Sequence, residues 1–312
     1  MQSTEEIKAV IGTNAWGSAL YEKAIRGTAV DDETIKEAVK EAIRCGLPVF
    51  DTAQDYGFGK GQKMVGAFCP KEKTMISAKY TPIGKYKHNQ VHDAIKKDLQ
   101  DFQRTSVDIY WLHLPNSMED NLQEMIELYR KGVIGRIGLS NFNLTECIEA
   151  KKILDEAGLP LYGVQNHYSL LDRTWEENGL VQWCRENNVS FWAWAVLEEG
   201  ILAGPKKKDE KNSLLKLLFA GKRRKLCRLF SLMQEIGQNH HLTIAQVAIA
   251  YVTNKGIIPV CGCRKPYQVR QLGEAVQTVL TAQEMLDLET LAAKTNVRVL
   301  GADMFRFAVG KR

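Results

Sequence analysis

The sequence predicts an α/β fold in which eight parallel strands and the helices between them close into a (β/α)8 barrel of the TIM type. Two observations indicate this fold. Short apolar runs alternate with amphipathic segments along the chain, as expected for parallel strands joined by crossover helices. No Pro- or Ser-rich linker interrupts the repeat, and 312 residues are ordinary for one barrel. We therefore expect residues 1–312 to form a single domain, although an open doubly wound sheet would alternate in the same way.

Eight apolar runs are the candidate strands, and they cover residues 10–13, 48–51, 74–79, 107–113, 134–140, 162–165, 190–194 and 257–260. Apolar residues at three- and four-residue spacing indicate helices over residues 31–45, 90–102, 121–131, 144–156, 174–187 and 245–254. Asn143 stands where it would cap one of these helices, and Gly158 follows its end. We further expect an insertion after the seventh strand and an extra C-terminal helix over residues 282–294.

The composition is typical of a folded protein without a membrane span. Apolar residues make up 45% of the chain and charged residues 25%, and no stretch approaches the roughly 20 apolar residues that cross a bilayer. The first ten residues, MQSTEEIKAV, lack the basic and apolar regions of a signal peptide. The seven cysteines are scattered, unlike those of a disulfide scaffold. We therefore expect a cytoplasmic protein with reduced thiols.

The net charge of +5 comes largely from two basic segments, residues 206–211 and 222–225. This excess suits an anionic cofactor or substrate. RNA binding is a less favoured interpretation because no aromatic residues are interleaved with these charges. We expect neither a nucleic acid nor a membrane as a partner. Cys261 and Cys263 form a CxC pair without zinc-ligand spacing, so we also expect no metal.

Six candidate strands end in polar or aromatic side chains. The carboxyl ends of the strands of a parallel barrel meet at one mouth, where active sites lie. A single polar residue at such a point is the ordinary exit of a strand into solvent, but six in series indicate a site. Opposite charges brought together there would shift pKa values. The six ends carry Asp51, Lys79, His113, Ser140 with Asn141, Gln165 with Asn166, and Trp194.

Four short motifs follow one another in order: DTAQDYG at 51–57, SAK at 77–79, LHLP at 112–115 and GLSNF at 138–142. Together they resemble the aldo-keto reductase superfamily. The resemblance extends from about residue 11 to at least residue 274. It implies a (β/α)8 barrel that reduces a small aldehyde or ketone with a nicotinamide cofactor.

The resemblance implies four catalytic residues whose chemistry fits that reaction. Hydride transfer to a carbonyl leaves an alkoxide, and Tyr56 would donate the proton. A phenol with a pKa of about 10 needs its anion stabilised, a role for Lys79. Asp51 would keep Lys79 charged and oriented, and His113 would polarise the carbonyl oxygen. We expect Trp16, after the first strand, to line the substrate pocket together with His113.

The resemblance also implies a set of cofactor-binding residues. Ser140, Asn141 and Gln165 would hold the nicotinamide carboxamide, and the ring would stack on Trp194, where the family usually has tyrosine. The segment IPVCGCRKP at 258–266 resembles a phosphate-binding segment. The planar fork of Arg264 suits a 2′-phosphate, so we expect NADPH rather than NADH. The expected set also includes Leu197, Gly200, Leu202, Gly262, Lys265 and Gln268.

The chain departs from the family pattern at three places. Gly61 and Gln62 stand where a Ser-Glu pair is common, and Leu272 stands where asparagine is common, which leaves the adenine contact open. The loop at 195–204, AVLEEGILAG, replaces a loop that usually contains Ser-Pro-Leu. We expect its two acids, Glu198 and Glu199, to point outward.

Two rival functions use the same residues. Lys79 could form a Schiff base, as in an aldolase, but a lysine paired with Asp51 stays protonated and is a poor nucleophile. The chain could also be a regulatory module that holds the cofactor and turns over slowly. The presence of all four polar groups permits catalysis but does not prove it, so the binding module stays an alternative.

Overall fold

The computed structural model describes residues 7–17, 29–205, 221–297 and 299. Eight parallel strands pair in chain order and the eighth pairs with the first, so the sheet is a closed barrel. This confirms the predicted (β/α)8 fold and excludes an open doubly wound sheet. The strands are β1 (Val10–Gly12), β2 (Val49–Asp51), β3 (Met75–Tyr80), β4 (Ile109–Leu112), β5 (Ile137–Ser140), β6 (Gly163–His167), β7 (Ser190–Trp194) and β8 (Ile258–Gly262).

Helices cover the outside of the barrel. Asn143 and Glu146 form a reciprocal capping box at the start of the fifth of them, as the sequence predicted for Asn143. No helix in the described part of the chain is long and apolar enough to span a membrane. The helices are α1 (Asp32–Arg44), α2 (Lys60–Phe68), α3 (Gln90–Phe102), α4 (Met118–Arg130), α5 (Leu144–Glu156), α6 (Thr174–Glu177), α7 (Leu180–Glu186), α8 (Cys227–His240), α9 (Ile244–Asn254), α10 (Pro266–Ala275) and α11 (Ala282–Lys294).

The helices differ from the predicted ones in two respects. The helix predicted over 174–187 is two helices, α6 and α7, because Gly179 at φ 88° breaks the backbone path between them. The sequence patterns also missed α2, α8 and α10. The final helix, α11, lies where it was predicted. Most of the insertion expected after β7 falls in residues 206–220, outside the described residues.

The barrel encloses a small core of its own. Alternate residues of each strand point inward, and six buried apolar residues form one cluster inside the barrel: Val10, Val49, Ile109, Trp111, Trp192 and Val260. The rings of Trp111 and Trp192 meet edge to face, with centroids 4.9 Å apart. A Cβ at Gly138 would lie 2.3 Å from the Trp111 ring. Glycine at this position therefore makes room for the indole inside the barrel.

Candidate active site

The carboxyl ends of the strands open into a cavity of about 400 Å3, a volume typical of small-molecule sites. Strand-end residues that the sequence analysis singled out lie together in its wall. Predicted residues from the segments after β7 and β8 line the same cavity. The predicted residues in the wall are Asp51, Tyr56, His113, Asn141, Gln165, Trp194, Leu197, Gly200, Gly262, Arg264 and Gln268.

Asp51, at the end of β2, is a buried carboxylate that accepts from three side chains. The Ser77 hydroxyl donates to Oδ1 at 2.7 Å, and Gln165 Nε2 donates to the same oxygen at 3.0 Å. Lys79 Nζ donates to Oδ2, and the Lys79 side chain is only 1% exposed. Removing either member of such a pair leaves an uncompensated buried charge. Asp51 therefore fixes the Lys79 ammonium in place.

Tyr56 begins a 3-10 turn, Tyr56–Gly59, between β2 and α2. Its ring centroid lies 5.2 Å from Lys79 Nζ. The next residue, Gly57, has φ 59°, and a Cβ there would lie 2.5 Å from the carbonyl oxygen of Trp16. Only glycine allows this contact between the loops after β1 and β2. The close approach of the two loops sets where Tyr56 enters the cavity.

The Tyr56 phenol keeps its proton at neutral pH. Burial, followed by the negative charges of Asp51, Asp55 and Glu199, raises the pKa of Tyr56 well above its ordinary value. At neutral pH Tyr56 is thus a phenol and not a standing phenolate.

Asp98, on α3, anchors both sides of the Tyr56 turn and was not predicted. Its buried carboxylate accepts from Gln54 at 3.1 and 3.2 Å, from Gln62 at 3.0 Å and from the Tyr110 hydroxyl at 2.8 Å. Gln54 precedes the turn and Gln62 follows it in α2. The amide of Gln62 also explains its departure from the family pattern, because a glutamate there would set a second carboxylate against Asp98.

His113 follows β4 and is a neutral imidazole. Its Nδ1 lies 2.7 Å from the hydroxyl oxygen of Thr81. When that hydroxyl donates to Nδ1, the ring proton is on Nε2. Burial, and then the positive charge of Lys79, lowers the pKa of His113 well below its ordinary value. Thr81 is a second residue that sequence reasoning missed.

Asn141 joins the ends of β4, β5 and β7. Its Nδ2 donates to the His113 carbonyl at 3.1 Å, and its Oδ1 accepts from Trp194 Nε1 at 3.1 Å. The Trp194 indole is therefore held by a hydrogen bond at the cavity wall. Ser140 lies behind that wall, where its hydroxyl donates to the Gln165 carbonyl at 2.9 Å. The structure thus places Ser140 as a support for the wall and not as part of its surface.

The loop after β7 forms another side of the cavity. Leu197 and Gly200 line it as predicted, but Leu202 is fully buried in the core between barrel and helices. Its apolar side chain turns away from the cavity to pack there. Arg223 Nη2 donates to the Gly200 carbonyl at 3.0 Å. Part of the basic segment 222–225 therefore contacts this loop, whereas Lys206–Lys208 lie outside the described residues.

The expectation that Glu198 and Glu199 both point outward is wrong for Glu198. Glu198 is 4% exposed and faces His167 and Ser169. These two partners hold the Glu198 carboxylate inside, and both acids have positive φ, 47° and 52°. Glu199 is exposed, and it also lines the cavity.

The loop after β8 and the start of α10 close the remaining side. Gln268 Oε1 accepts from the backbone amides of Arg264 and Lys265, at 2.9 and 3.1 Å. This holds Arg264 at the cavity. The Lys265 side chain does not line it and lies over Tyr267, with Nζ 6.0 Å from the ring centroid. A Cβ at Gly262 would meet nothing closer than 3.7 Å, so backbone forms an open wall there.

Trp16 does not line the cavity, contrary to expectation. It is 1% exposed, its Nε1 donates to the Cys263 carbonyl at 3.1 Å, and its ring packs near Phe50. The indole is large and apolar enough that burial in the core holds it behind the wall. Its neighbours Asn14 and Ala15 line the cavity instead. Among the described residues, no group of three His, Cys, Asp or Glu side chains could hold a metal ion.

The family model for the aldo/keto reductase family matches residues 8–293. The chain belongs to the aldo/keto reductase family. It is therefore an NAD(P)H-dependent oxidoreductase. The chloroplastic pyridoxal reductase of Arabidopsis thaliana is 26% identical to this aldo/keto reductase, with 95% of this chain and 85% of the relative covered.

Solved structures of the family share the barrel. The thermostable aldo-keto reductase Tm1743, solved with the inhibitor epalrestat, superposes with a TM-score of 0.73 at 25% identity, over 93% of this chain and 97% of that one. An aldo/keto reductase from Klebsiella pneumoniae, solved with NADP and acetate, gives a TM-score of 0.70 at 23% identity, over 91% of each chain. These likenesses support the fold described above.

Proposed function

We propose that this aldo/keto reductase uses NADPH to reduce a small aldehyde or ketone to the alcohol, with Tyr56 as the proton donor. One observation carries the proposal. A single cavity brings together a protonated phenol, a neutral imidazole, a half-buried indole and an arginine. These are the groups that a carbonyl, a nicotinamide ring and a phosphate require.

The cavity fits a dinucleotide of this kind. Backbone at Gly262 leaves room near Arg264 in the cavity wall, since a Cβ there would meet nothing closer than Asn14 Oδ1 at 3.7 Å, and a phosphate could approach there. Trp194 offers a flat face for a ring, and Asn141 and Gln165 are amides that could pair with a carboxamide. When bound, the nicotinamide would supply the hydride. The remaining chemistry falls to the side chains of this chain.

Tyr56 would give its proton to the carbonyl oxygen as negative charge develops there. Although burial weakens Tyr56 as an acid, an alkoxide is a stronger base than a phenolate, so the transfer stays favourable. His113 would donate from Nε2 to the same oxygen, in the tautomer that Thr81 can set. Because His113 is neutral, it polarises the carbonyl without competing to protonate it.

Lys79 and Asp51 would act on Tyr56 as a fixed electrostatic pair. The ammonium lies 5.2 Å from the ring centroid and would stabilise the phenolate that forms when the proton leaves. The burial of Lys79 and its bond to Asp51 count against the aldolase alternative, since a Schiff base needs a neutral and accessible amine. Borohydride trapping of a substrate on Lys79 would support that alternative.

Arg264 supports NADPH as the cofactor in preference to NADH. Arg264 lines the cavity just before α10, and a guanidinium pairs well with a phosphate dianion. The Klebsiella relative was solved with NADP. Leu197 and Gly200 would contact the cofactor through the loop after β7, and Gln268 would position Arg264.

An NADPH-oxidation screen tests the proposed function. Aldehydes, α-dicarbonyls, ketoses and cyclic ketones are offered to the wild-type protein, with Tyr56→Phe as the blank. We expect oxidation with at least one class and none above background in the variant. Tight NADPH binding without oxidation for any class would instead identify a regulatory binding module.

A further inference from the structure

His167, the last residue of β6, lies in a buried cluster that the proposed chemistry does not use. Its Nε2 lies 3.2 and 3.1 Å from the two carboxylate oxygens of Glu198. Its Nδ1 lies 3.0 Å from Asp172 Oδ2, and the Ser169 hydroxyl donates to Glu198. We call these four residues, His167, Ser169, Asp172 and Glu198, the His167 cluster.

Burying the charged groups of the His167 cluster costs free energy, so the cluster is a poor way to gain folding stability alone. The His167 side chain is 1% exposed and the Glu198 side chain 5%. The desolvation cost of buried charges is offset only when the geometry of the ion pair is good. Burial opposes the imidazolium, but the nearby carboxylates of Asp172 and Glu198 outweigh it and raise the pKa of His167 to about 9. An imidazolium at neutral pH therefore sits between two carboxylates, an arrangement that favours one loop position over others.

That loop runs through the wall of the cavity and is strained. Ala195, Glu198 and Glu199 have φ of 58°, 47° and 52°, and Gly200 has φ 90°. Non-glycine residues in this region are strained and persist only where the surroundings hold them. The His167 cluster holds the middle of this strained loop in place through its contacts with the Glu198 carboxylate. Leu197 and Gly200, which line the cavity, lie on either side of this held segment in the chain.

The same imidazole also supports Trp194. His167 and Trp194 are register partners on β6 and β7, and their rings meet edge to face with centroids 4.8 Å apart at 70°. On its other side the indole donates to Asn141. His167 thus touches both elements that would hold the cofactor, the Trp194 ring directly and the following loop through Glu198.

We propose that the His167 cluster is a positioning device that sets the affinity for the cofactor by holding Trp194 and the loop 195–203, and does not take part in the reaction. The inference rests on the proposed NADPH-dependent function. It predicts a weaker cofactor complex and little change in turnover at saturating cofactor when the cluster is broken.

The positioning role predicts the direction in which NADPH affinity changes with pH. Because the folded pKa of His167 is raised to about 9, its ion pairs are present below that pH and are lost as pH rises through it. Among the described residues, the charged groups within ion-pair distance of His167 are Asp172 and Glu198. We expect NADPH affinity in the wild type to fall as the pH rises through about 9.

The test uses Glu198→Gln and His167→Gln, with His240→Gln as the matched control. His240 forms a similar pair with Glu284 at 3.0 Å, between α8 and α11. We measure the NADPH dissociation constant by fluorescence titration from pH 7 to 10, kcat at saturating NADPH, and amide hydrogen exchange across residues 195–203. Glu198→Gln keeps the shape of the side chain, so it stays informative if His167→Gln does not fold.

The expected result is a rise of about tenfold in the dissociation constant of both cluster variants at pH 7, with kcat retained and faster exchange in the loop. The pH step should weaken in Glu198→Gln, and His240→Gln should match the wild type. Unchanged exchange, or faster exchange with unchanged affinity, would overturn the inference. A wild type that binds no NADPH, yet shows faster exchange in both variants, would instead overturn the proposed function.

Discussion

The two ends of the barrel interior are built from the same strands and differ in almost every physical property. Strand β4 and the residue after it show the change in three inward positions. Ile109 packs in the apolar lower core, Trp111 fills the middle, and His113 lies in the polar mouth. The indole of Trp111 donates to Ser77 at 2.7 Å, and Ser77 donates to Asp51. One hydrogen-bond chain therefore joins the two ends.

The alternation of inward and outward residues along the strands thus provides both an apolar core at the lower end and a polar site at the upper end. The lower end needs only volume, because apolar burial is nearly non-directional. The upper end buries Asp51, Lys79, Asn141 and Gln165, and each must find a partner or lose free energy. Stability is therefore expected to depend on the lower residues, and chemistry on the upper ones.

The largest expected effect is on turnover, from Tyr56→Phe at the upper end. Loss of the phenolic proton should reduce kcat by about 10²–10⁴-fold, and NADPH affinity should stay close to that of the wild type. Steady-state kinetics and fluorescence titration of the purified variant measure both. Unchanged turnover would remove Tyr56 from the role of acid.

The opposite effect is expected from Ile109→Ala at the lower end of β4. Ile109 is fully buried, so its truncation should lower the free energy of unfolding by about 2–5 kcal/mol. The kcat of the folded fraction should not change. Denaturant unfolding and active-site-normalised kinetics test this pair of outcomes. A loss of kcat in the folded protein would show that the two ends are not separable.

Arg264→Ala should weaken NADPH about 10–100-fold, the usual worth of a hydrogen-bonded charge, and should leave NADH affinity nearly unchanged. Lys265→Ala is the matched control, because the Lys265 side chain lies over Tyr267 and away from the cavity. Dissociation constants of both cofactors for both variants decide the matter. Equal losses for NADPH and NADH would place recognition of the 2′-phosphate elsewhere.

The smallest expected effect is that of pH on kcat, which should be absent near neutrality. The pKa of His113 is held well below its ordinary value of 6.5, so the neutral form persists as the pH falls through 6.5. We expect kcat at saturating NADPH to be flat between about pH 6 and 8. An acid limb centred near 6.5 would mean that His113 titrates normally and that the site is more hydrated than its burial implies.

Sequence patterns predicted the strands and the residues at their ends, since alternation and parallel geometry dictate where those side chains must lie. They failed where direction depends on distant partners. Trp16 and Lys265 turn away from the cavity to pack on Phe50 and Tyr267. Glu198 turns inward to reach His167 and Ser169, about 30 residues earlier in the chain.

Supporting contacts were missed for the same reason. Asp98 meets Gln54 across 44 residues, and Thr81 meets His113 across 32 residues, distances along the chain over which no local pattern carries a signal. The helix α2 contains two glycines, Gly61 and Gly66, which are poor helix formers, and no helix was predicted there. Its Gly66 packs so closely that a Cβ would lie 2.1 Å from the Asp101 carbonyl oxygen.

The most direct measurement follows the hydride itself. Wild-type protein is incubated with NADPH deuterated at the transferable C4 position and with the carbonyl that the screen selects, and the product is analysed by mass spectrometry and NMR. The account predicts one deuterium on the carbinol carbon of the alcohol. NADPH that binds tightly while no labelled alcohol forms from any carbonyl class would contradict it.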